Sequence, residues 1–286
     1  MDRHKPFRGT RHLTIAAVAL FLLLTCACTD LDEIAQFAKA SQDVGKAFPG
    51  VADQAEAACN RANSFKNAQN PLPLLPCDVY AKLKPPLVKV NDALFGYIAS
   101  LGKLASADLS KVAGGFDSLG TDLKQGDPTI SAANLNKASA AAGLAKAITN
   151  IWANGYRQRE LSKTVRENNQ AVQDVTQFLS EYAADKYQQS FHDEWRYEDS
   201  YCLNMKSPTE PVATDLLDRK CAADKVRIET QEKAIADYQK ALATIAKTHQ
   251  KLDEEAGHWN AQQLAKDLGP EIVTLGNAAV SVNKAF

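Results

Sequence analysis

Residues 217–252 have the sequence LDRKCAADKVRIETQEKAIADYQKALATIAKTHQKL, and this stretch decides the fold. From Ile235 onward, apolar residues recur at alternating steps of three and four, which is the spacing of a heptad seam. Lysine and glutamate fill most of the other positions, as a solvated helix face requires. The stretch therefore predicts one long amphipathic helix with a single buried face. That face consists of Leu217, Cys221, Ile228, Ile235, Tyr238, Leu242, Ile245 and Leu252, with His249 on the same seam.

Three further stretches carry apolar seams with helical spacing. They cover residues 87–104, 161–182 and 264–286, and the first can continue through residues 109–123. No stretch shows the strict alternation of a half-buried strand. Alanine, which has the best intrinsic helix propensity, is abundant. The sequence therefore predicts an all-α fold, an elongated antiparallel bundle of about four to five long amphipathic helices.

Prolines and glycines mark the expected helix ends. Pro49-Gly50 interrupts the first helical stretch, and Gly126-Asp127-Pro128 predicts a strong turn. Pro85-Pro86 is expected to delay the next regular helix. Residues 130–201 contain no proline, which allows one very long helix, and Gly257 is expected to separate the last two helices.

The N-terminal segment has the layout of an export signal. Four basic residues precede an unbroken apolar run at residues 15–24, which is too short for a stable membrane span but typical of a signal sequence. The run ends in Leu23-Leu24-Thr25-Cys26-Ala27-Cys28, with a cysteine at the expected cleavage point. In this segment alone, the chain resembles bacterial membrane lipoproteins. The four basic residues are Arg3, Lys5, Arg8 and Arg11.

This resemblance implies a lipid anchor and a place in the cell envelope, on the periplasmic side or at the cell surface. Cys28 is the favoured lipid attachment site because the small residue Ala27 precedes it, and Cys26 is the alternative. An ordinary signal that is cleaved after Ala27 without lipid attachment is also open. The first expected partner is the membrane, bound through the N-terminal lipid. We expect residues 1–27 to be the signal peptide and residues 28–286 to form the helical bundle domain.

Apart from the lipid attachment site Cys28, four cysteines follow the signal, and an even number in an exported protein favours disulfides. Each neighbouring pair flanks a polar stretch that contains proline, so the sequential pairing closes two turns between helices. Each bridge of this length contributes about 3 kcal/mol in the chain-entropy model. The other two pairings remain open, and no zinc-ligand spacing such as CxxC is present. The expected pairs are Cys59 with Cys77 and Cys202 with Cys221.

Helix lengths predict how these turns are arranged. Matching segment lengths on either side of the two turns gives a four-helix stalk of roughly 60–65 Å, at 1.5 Å per residue. Both turns would then lie at the end far from the membrane. Residues of about 116–155 and 258–286 would form a second helical layer near the anchor.

Charge and motifs exclude several classes of function. Without residues 1–27, the chain has 29 Lys and Arg against 33 Asp and Glu, a net charge of −4, which argues against a nucleic-acid partner. No nucleophile elbow, P-loop or dinucleotide fingerprint is present, so we expect no enzyme and no cofactor. Glu255 and His258 form a single Glu-x-x-His motif, whereas di-iron bundles need two. We therefore expect no metal site.

The segment Phe191–Tyr201 has the densest aromatic and acidic composition in the chain. Its aromatic residues cannot all face one seam, and exposed aromatics mark interaction surfaces. Alternatively, they cap the end of the bundle. The candidate interaction surface consists of Phe191, Trp195, Tyr197 and Tyr201.

These observations predict a lipid-anchored cell-envelope protein with a structural or protein-interaction role and a protein partner in the envelope. The alternative is a helical bundle in the periplasm that binds a small molecule or a metal. That alternative requires polar residues that converge in the core, and His249 and Asn168 are the only such residues on the seams.

Overall fold

A computed structural model describes residues 31–66, 71–106, 118–154 and 158–286. Every regular element in these ranges is a helix, which confirms the predicted all-α class. The predicted signal sequence, with Cys26 and Cys28, lies outside the described residues. None of the described helices has an apolar run long enough to span a bilayer.

The predicted number of helices, four to five, is too low, because short breaks divide the long helical stretches. In chain order the described elements are α1 (Asp32–Gly45), α2 (Phe48–Ser64), α3 (Asp78–Ser106), α4 (Leu119–Gly126), α5 (Ala132–Asn154), α6 (Gln158–Phe178), a π-helical segment (Leu179–Ala184), α7 (Asp185–Asn204), α8 (Pro211–Glu254) and α9 (Ala261–Ala285).

Prolines act differently from the expectation at two places. The first helical stretch breaks at Lys46 and Ala47, and Pro49 lies in the first turn of α2, where its missing N–H is not needed. Pro85 and Pro86 do not delay α3, since the helix begins at Asp78 and includes both. The turns of α3 before these prolines are fixed by the Cys59–Cys77 bridge and by the buried side chain of Leu83.

Four long helical stretches enclose the main core. They are α1–α2, α3, α6–α7 with the π-helical segment between them, and α8. α1 packs on α3, α2 packs on α7, and α8 packs on both α6 and α7. The apolar seam residues predicted within residues 87–104 and 161–182 are buried in this core. With 44 residues, α8 is about 66 Å long.

The remaining helices pack on the outside of this core. α4 and α5 lie on α3 and α6, and α9 lies on α1 and α8. The turn between α4 and α5 is held by Asp127, whose carboxylate accepts a hydrogen bond from Tyr182 Oη at 2.8 Å and pairs with Lys186 Nζ at 2.9 Å. Gly257, with φ at 97°, lies in the turn between α8 and α9. α9 then runs back to Phe286, whose ring centroid is 5.8 Å from that of Phe191.

Candidate functional site

Two cysteine pairs lie at the same end of the bundle, which we call the bridged end. The Cα–Cα distance is 5.5 Å between Cys59 and Cys77 and 6.4 Å between Cys202 and Cys221. Both distances are typical of a disulfide and agree with the sequential pairing. An aromatic contact between Phe65, after α2, and the last turn of α7 connects the two bridges, with ring centroids 5.5 Å apart.

The hairpin between α7 and α8 projects beyond the main core at this end. α8 begins at Pro211, but its first fully buried residue is Ile228. Among the described residues, the first four turns of α8 therefore pack mainly on the side that faces α7. Ion pairs hold this side together, among them Lys206 Nζ with Asp218 Oδ1 at 2.8 Å.

Exposed apolar side chains concentrate at the bridged end. Among the described residues, eight large apolar side chains are exposed, and only Val273 and Val280 lie elsewhere, on α9. Since isolated exposed apolar residues are common, the concentration is what points to a binding surface. We name four residues of the projecting hairpin the tip surface: Leu203, Met205, Val212 and Leu216. The other two exposed residues are Leu74 and Val226.

The outer face of α8 continues this apolar character. Val212, Leu216, Ala223 and Val226 share one helix face with Arg219, at steps of four and three residues. All five are exposed. Arg219 Nη2 is paired with Asp215 Oδ2 at 2.6 Å, so its charge is partly neutralised within α8. The described part of the chain leaves this face without a packing partner.

A buried ion cluster fixes the base of the projecting hairpin. Glu194 of α7 is fully buried and lies between Arg61 of α2 and Arg227 of α8. Arg61 Nη2 donates to Glu194 Oε2 at 2.9 Å, and Arg227 Nη2 donates to Oε1 at 2.7 Å. Removing one partner of a buried, hydrogen-bonded ion cluster leaves an uncompensated charge. The cluster therefore fixes the relative position of α2, α7 and α8.

A second buried carboxylate, Glu198, lies one turn closer to the tip. Its Oε1 accepts a hydrogen bond from Lys220 Nζ at 3.1 Å, and Lys220 also pairs with Asp224 at 2.6 Å. Burial, together with the neighbouring Asp224 carboxylate, raises the pKa of Glu198 to about 7. Lys220 opposes this shift. The local charge near the tip therefore depends on pH around neutrality.

The structure places the predicted aromatic surface only partly on the outside. Phe191 and Tyr197 are fully buried, which corrects the expectation that they belong to an exposed surface. Tyr197 Oη donates to the carbonyl oxygen of Pro73. Trp195 and Tyr201 are half-buried.

Trp195 is the residue of this group that connects to the tip surface. Lys225 Nζ lies 5.3 Å from its ring centroid, a cation–π contact. An open groove runs beside Trp195 along α7 and reaches Leu203 of the tip surface. The half-exposed indole and Leu203, one residue of the tip surface, therefore line the same groove along α7.

The polar residues around His249 hydrogen-bond to one another in the core. His249 is fully buried, with Nε2 3.0 Å from Tyr97 Oη and Nδ1 3.0 Å from Asn169 Oδ1. Asn168 donates to the carbonyl oxygen of Thr164 in its own helix and does not contact His249 in the described hydrogen-bond network. His258, of the single Glu-x-x-His motif, is exposed.

The tip surface was missed because the sequence interpretation assigned the start of α8 to the core. Its signal is a second apolar stripe on α8, at Val212, Leu216 and Val226, which is out of phase with the seam through Leu217 and Cys221. A second apolar face on a helix favours a second packing surface. Comparisons with known proteins add no assignment: no protein-family model, curated protein or solved structure matches the chain.

Proposed function

We propose that the chain is a lipid-anchored protein of the bacterial cell envelope whose helical bundle holds a protein-binding tip away from the membrane. The anchor is inferred from the signal layout and the cysteine at its end. The binding role is inferred from the tip surface. The single observation that carries the proposal is that six of the eight exposed large apolar side chains, among the described residues, lie at the bridged end.

The direction of the first helix supports the proposed orientation. α1 begins beside the C-terminal end of α3, where Ala38 packs directly against Gly102. The bridged end instead contains the N-terminal end of α3, at Cys77. A lipid attached a few residues before Leu31 would therefore lie at the end opposite the tip surface.

The rigidity of the bundle supports an interaction role over a ligand-binding role. The bridged end is fixed by two cysteine pairs and by the ion cluster around Glu194, so the tip surface is presented without a large ordering cost. The core, by contrast, presents His249 with both ring nitrogens already in contact with protein groups. These contacts favour a protein partner at the tip over a small molecule or metal in the core.

Cell fractionation combined with chemical crosslinking tests both parts of the proposal. Wild type should sediment with membranes, and the Cys26→Ser/Cys28→Ser variant should appear in the soluble envelope fraction. Because the tip is unchanged, the released variant should still form the same crosslinked adduct as wild type. A Cys59→Ser/Cys77→Ser variant controls for general effects of cysteine removal and should stay with the membranes. Equal membrane partition of wild type and the Cys26→Ser/Cys28→Ser variant, with no lipid-modified peptide in mass spectrometry, would contradict the anchor.

A further inference from the structure

A buried carboxylate lies directly beside the Cys202–Cys221 bridge. One ligand atom from each of Glu198, Cys202 and Cys221 can be chosen so that all three lie within 4.8 Å of one another. Glu198 and Cys202 are four residues apart on α7 and therefore share a helix face, whereas Cys221 reaches them from α8. Two elements thus bring one carboxylate and two sulfur atoms together.

One oxygen of the Glu198 carboxylate, Oε2, lacks a hydrogen-bond donor among the described residues. The residue has no exposed surface, and no donor in the described part of the chain reaches its Oε2. Lys220 binds the other carboxylate oxygen, Oε1. A buried carboxylate oxygen without a donor is costly, and native structures contain few of them. An oxygen of this kind is available to coordinate a cation.

We infer that reduction of the Cys202–Cys221 bridge creates a metal site in which both thiolates and the Glu198 carboxylate bind Zn²⁺. Two thiolates and one carboxylate are ligands that Zn²⁺ accepts, with a fourth position for water. Tetrahedral coordination places such ligand atoms roughly 3.5–4 Å apart, given the usual Zn–S and Zn–O distances. The three ligand atoms therefore need only small movements once the bond between the sulfurs is broken.

The reduction step requires a dithiol reductant. Cys221 is half-buried and Cys202 is almost completely buried, so Cys221 Sγ is the sulfur that a reductant reaches. A thiolate of the reductant attacks Cys221 Sγ, the bond between the sulfurs breaks, and Cys202 leaves as a thiolate that takes up a proton. The second thiol of the reductant then releases Cys221 and becomes part of the reductant's own disulfide. Zn²⁺ binding displaces the proton from each cysteine thiol into solvent.

A metal in this site would replace the covalent link at the base of the tip. The disulfide and the Zn²⁺ both join α7 to α8 at the same pair of residues, so the hairpin stays closed in either redox state. The chain would then keep its tip surface in place when a reductant opens the bridge.

A Co²⁺ titration of the full chain, in a Cys26→Ser/Cys28→Ser background that removes the other thiols of the N-terminal segment, tests this inference. After reduction with a phosphine, Co²⁺ should give a thiolate-to-metal absorption band with one Co²⁺ per chain, and Zn²⁺ should remove the band. The oxidised protein should give no band. Removing the other pair, in a Cys59→Ser/Cys77→Ser variant, should leave the titration unchanged.

Glu198→Gln is the decisive variant because it keeps both thiols. It should weaken Co²⁺ binding at least about 10-fold, since the loss of even an indirect ligand contact costs that much. Glu210→Gln, in the exposed turn before α8, is the matched control and should bind as wild type. The inference fails if the reduced chain gives no band, if the band survives in Cys202→Ser/Cys221→Ser, or if Glu198→Gln binds Co²⁺ as tightly as wild type. Circular dichroism of each variant checks that helix content is unchanged.

Discussion

At the residue scale, His249 shows how the core holds a titratable group in one state. The carboxamide oxygen of Asn169 can only accept a hydrogen bond, so His249 Nδ1 carries the proton and Nε2 accepts from Tyr97 Oη. Asn169 is itself held by Asp253, to which its Nδ2 donates at 3.1 Å. Burial lowers the pKa of His249 to about 3. The imidazole is therefore neutral in the folded protein at physiological pH.

This burial predicts a pH dependence of stability. Below its ordinary pKa of about 6.5, His249 takes up a proton in the unfolded chain but not in the folded protein. The stabilising contribution of His249 to the free energy of unfolding is thus complete above pH 6.5 and is lost as the pH falls toward about 3. The difference in unfolding free energy between wild type and His249→Gln should shrink by up to about 1.4 kcal/mol per pH unit in this window.

Urea unfolding at several pH values between 7.5 and 4.5 measures this difference. His258→Gln, at an exposed position, is the matched control for the replacement of a histidine by glutamine. A constant difference between wild type and His249→Gln over the whole range would contradict this prediction, because it would show that His249 takes up its proton at the same pH in the folded and unfolded protein.

Two neighbouring aromatics on α7 should respond very differently to truncation. Tyr197 is fully buried and donates a hydrogen bond to Pro73, so Tyr197→Ala should cost about 3–5 kcal/mol of stability. Tyr197→Phe, which removes only the hydroxyl, should cost about 1 kcal/mol. Trp195 is half-buried, and Trp195→Ala should cost no more than about 1 kcal/mol. Denaturant unfolding of the three variants provides the comparison, and an equal cost for both alanine variants would contradict the packing.

At the element scale, α8 is divided into two parts with different surroundings. From Ile228 onward, one face is buried by α6, α7 and the outer helix α9. Before Ile228, α8 packs against α7, with the Phe65 ring 5.0 Å from Lys220 Nζ, and exposes an apolar stripe. The same helix therefore contributes both to the core and to the tip surface.

Alanine substitutions along α8 should reveal this division. Leu216→Ala should change the unfolding free energy by no more than about 0.5 kcal/mol, because the side chain is exposed in the folded state. Ile235→Ala removes a fully buried side chain and should cost about 2–5 kcal/mol. Thermal and denaturant unfolding would distinguish the two. A large cost for Leu216→Ala would show that the start of α8 is packed against another part of the chain.

The sequence was sufficient to predict that these segments are helices, because periodic apolar seams repeat over several turns, as at residues 87–104 and 161–182. Which face of α7 is buried was not predictable. The π-helical segment Leu179–Ala184 inserts extra backbone into the turn and rotates the seam that follows it. This rotation places Phe191 and Tyr197 inside. Leu217 is only half-buried and the tip surface is exposed, and both depend on which helices reach the bridged end, which no local pattern encodes.

At the scale of the whole molecule, the bundle has two chemically different ends. One end contains Leu31, the first described residue, and the start of α6. The other contains both cysteine pairs and the projecting hairpin. An antiparallel bundle with its N-terminus at one end and its apolar tip at the other is suited to hold a binding surface away from a membrane. This separation is the central claim.

Site-specific photo-crosslinking in intact cells tests that claim most directly. A photo-reactive amino acid is placed at Leu216 on the tip surface or at Val273 on α9, which is equally exposed at 63% against 61%. If the tip is the binding surface, the Leu216 position gives a discrete adduct with an envelope protein and the Val273 position gives none. Adducts of the same partner at both positions, or an adduct at Val273 alone, would contradict the account.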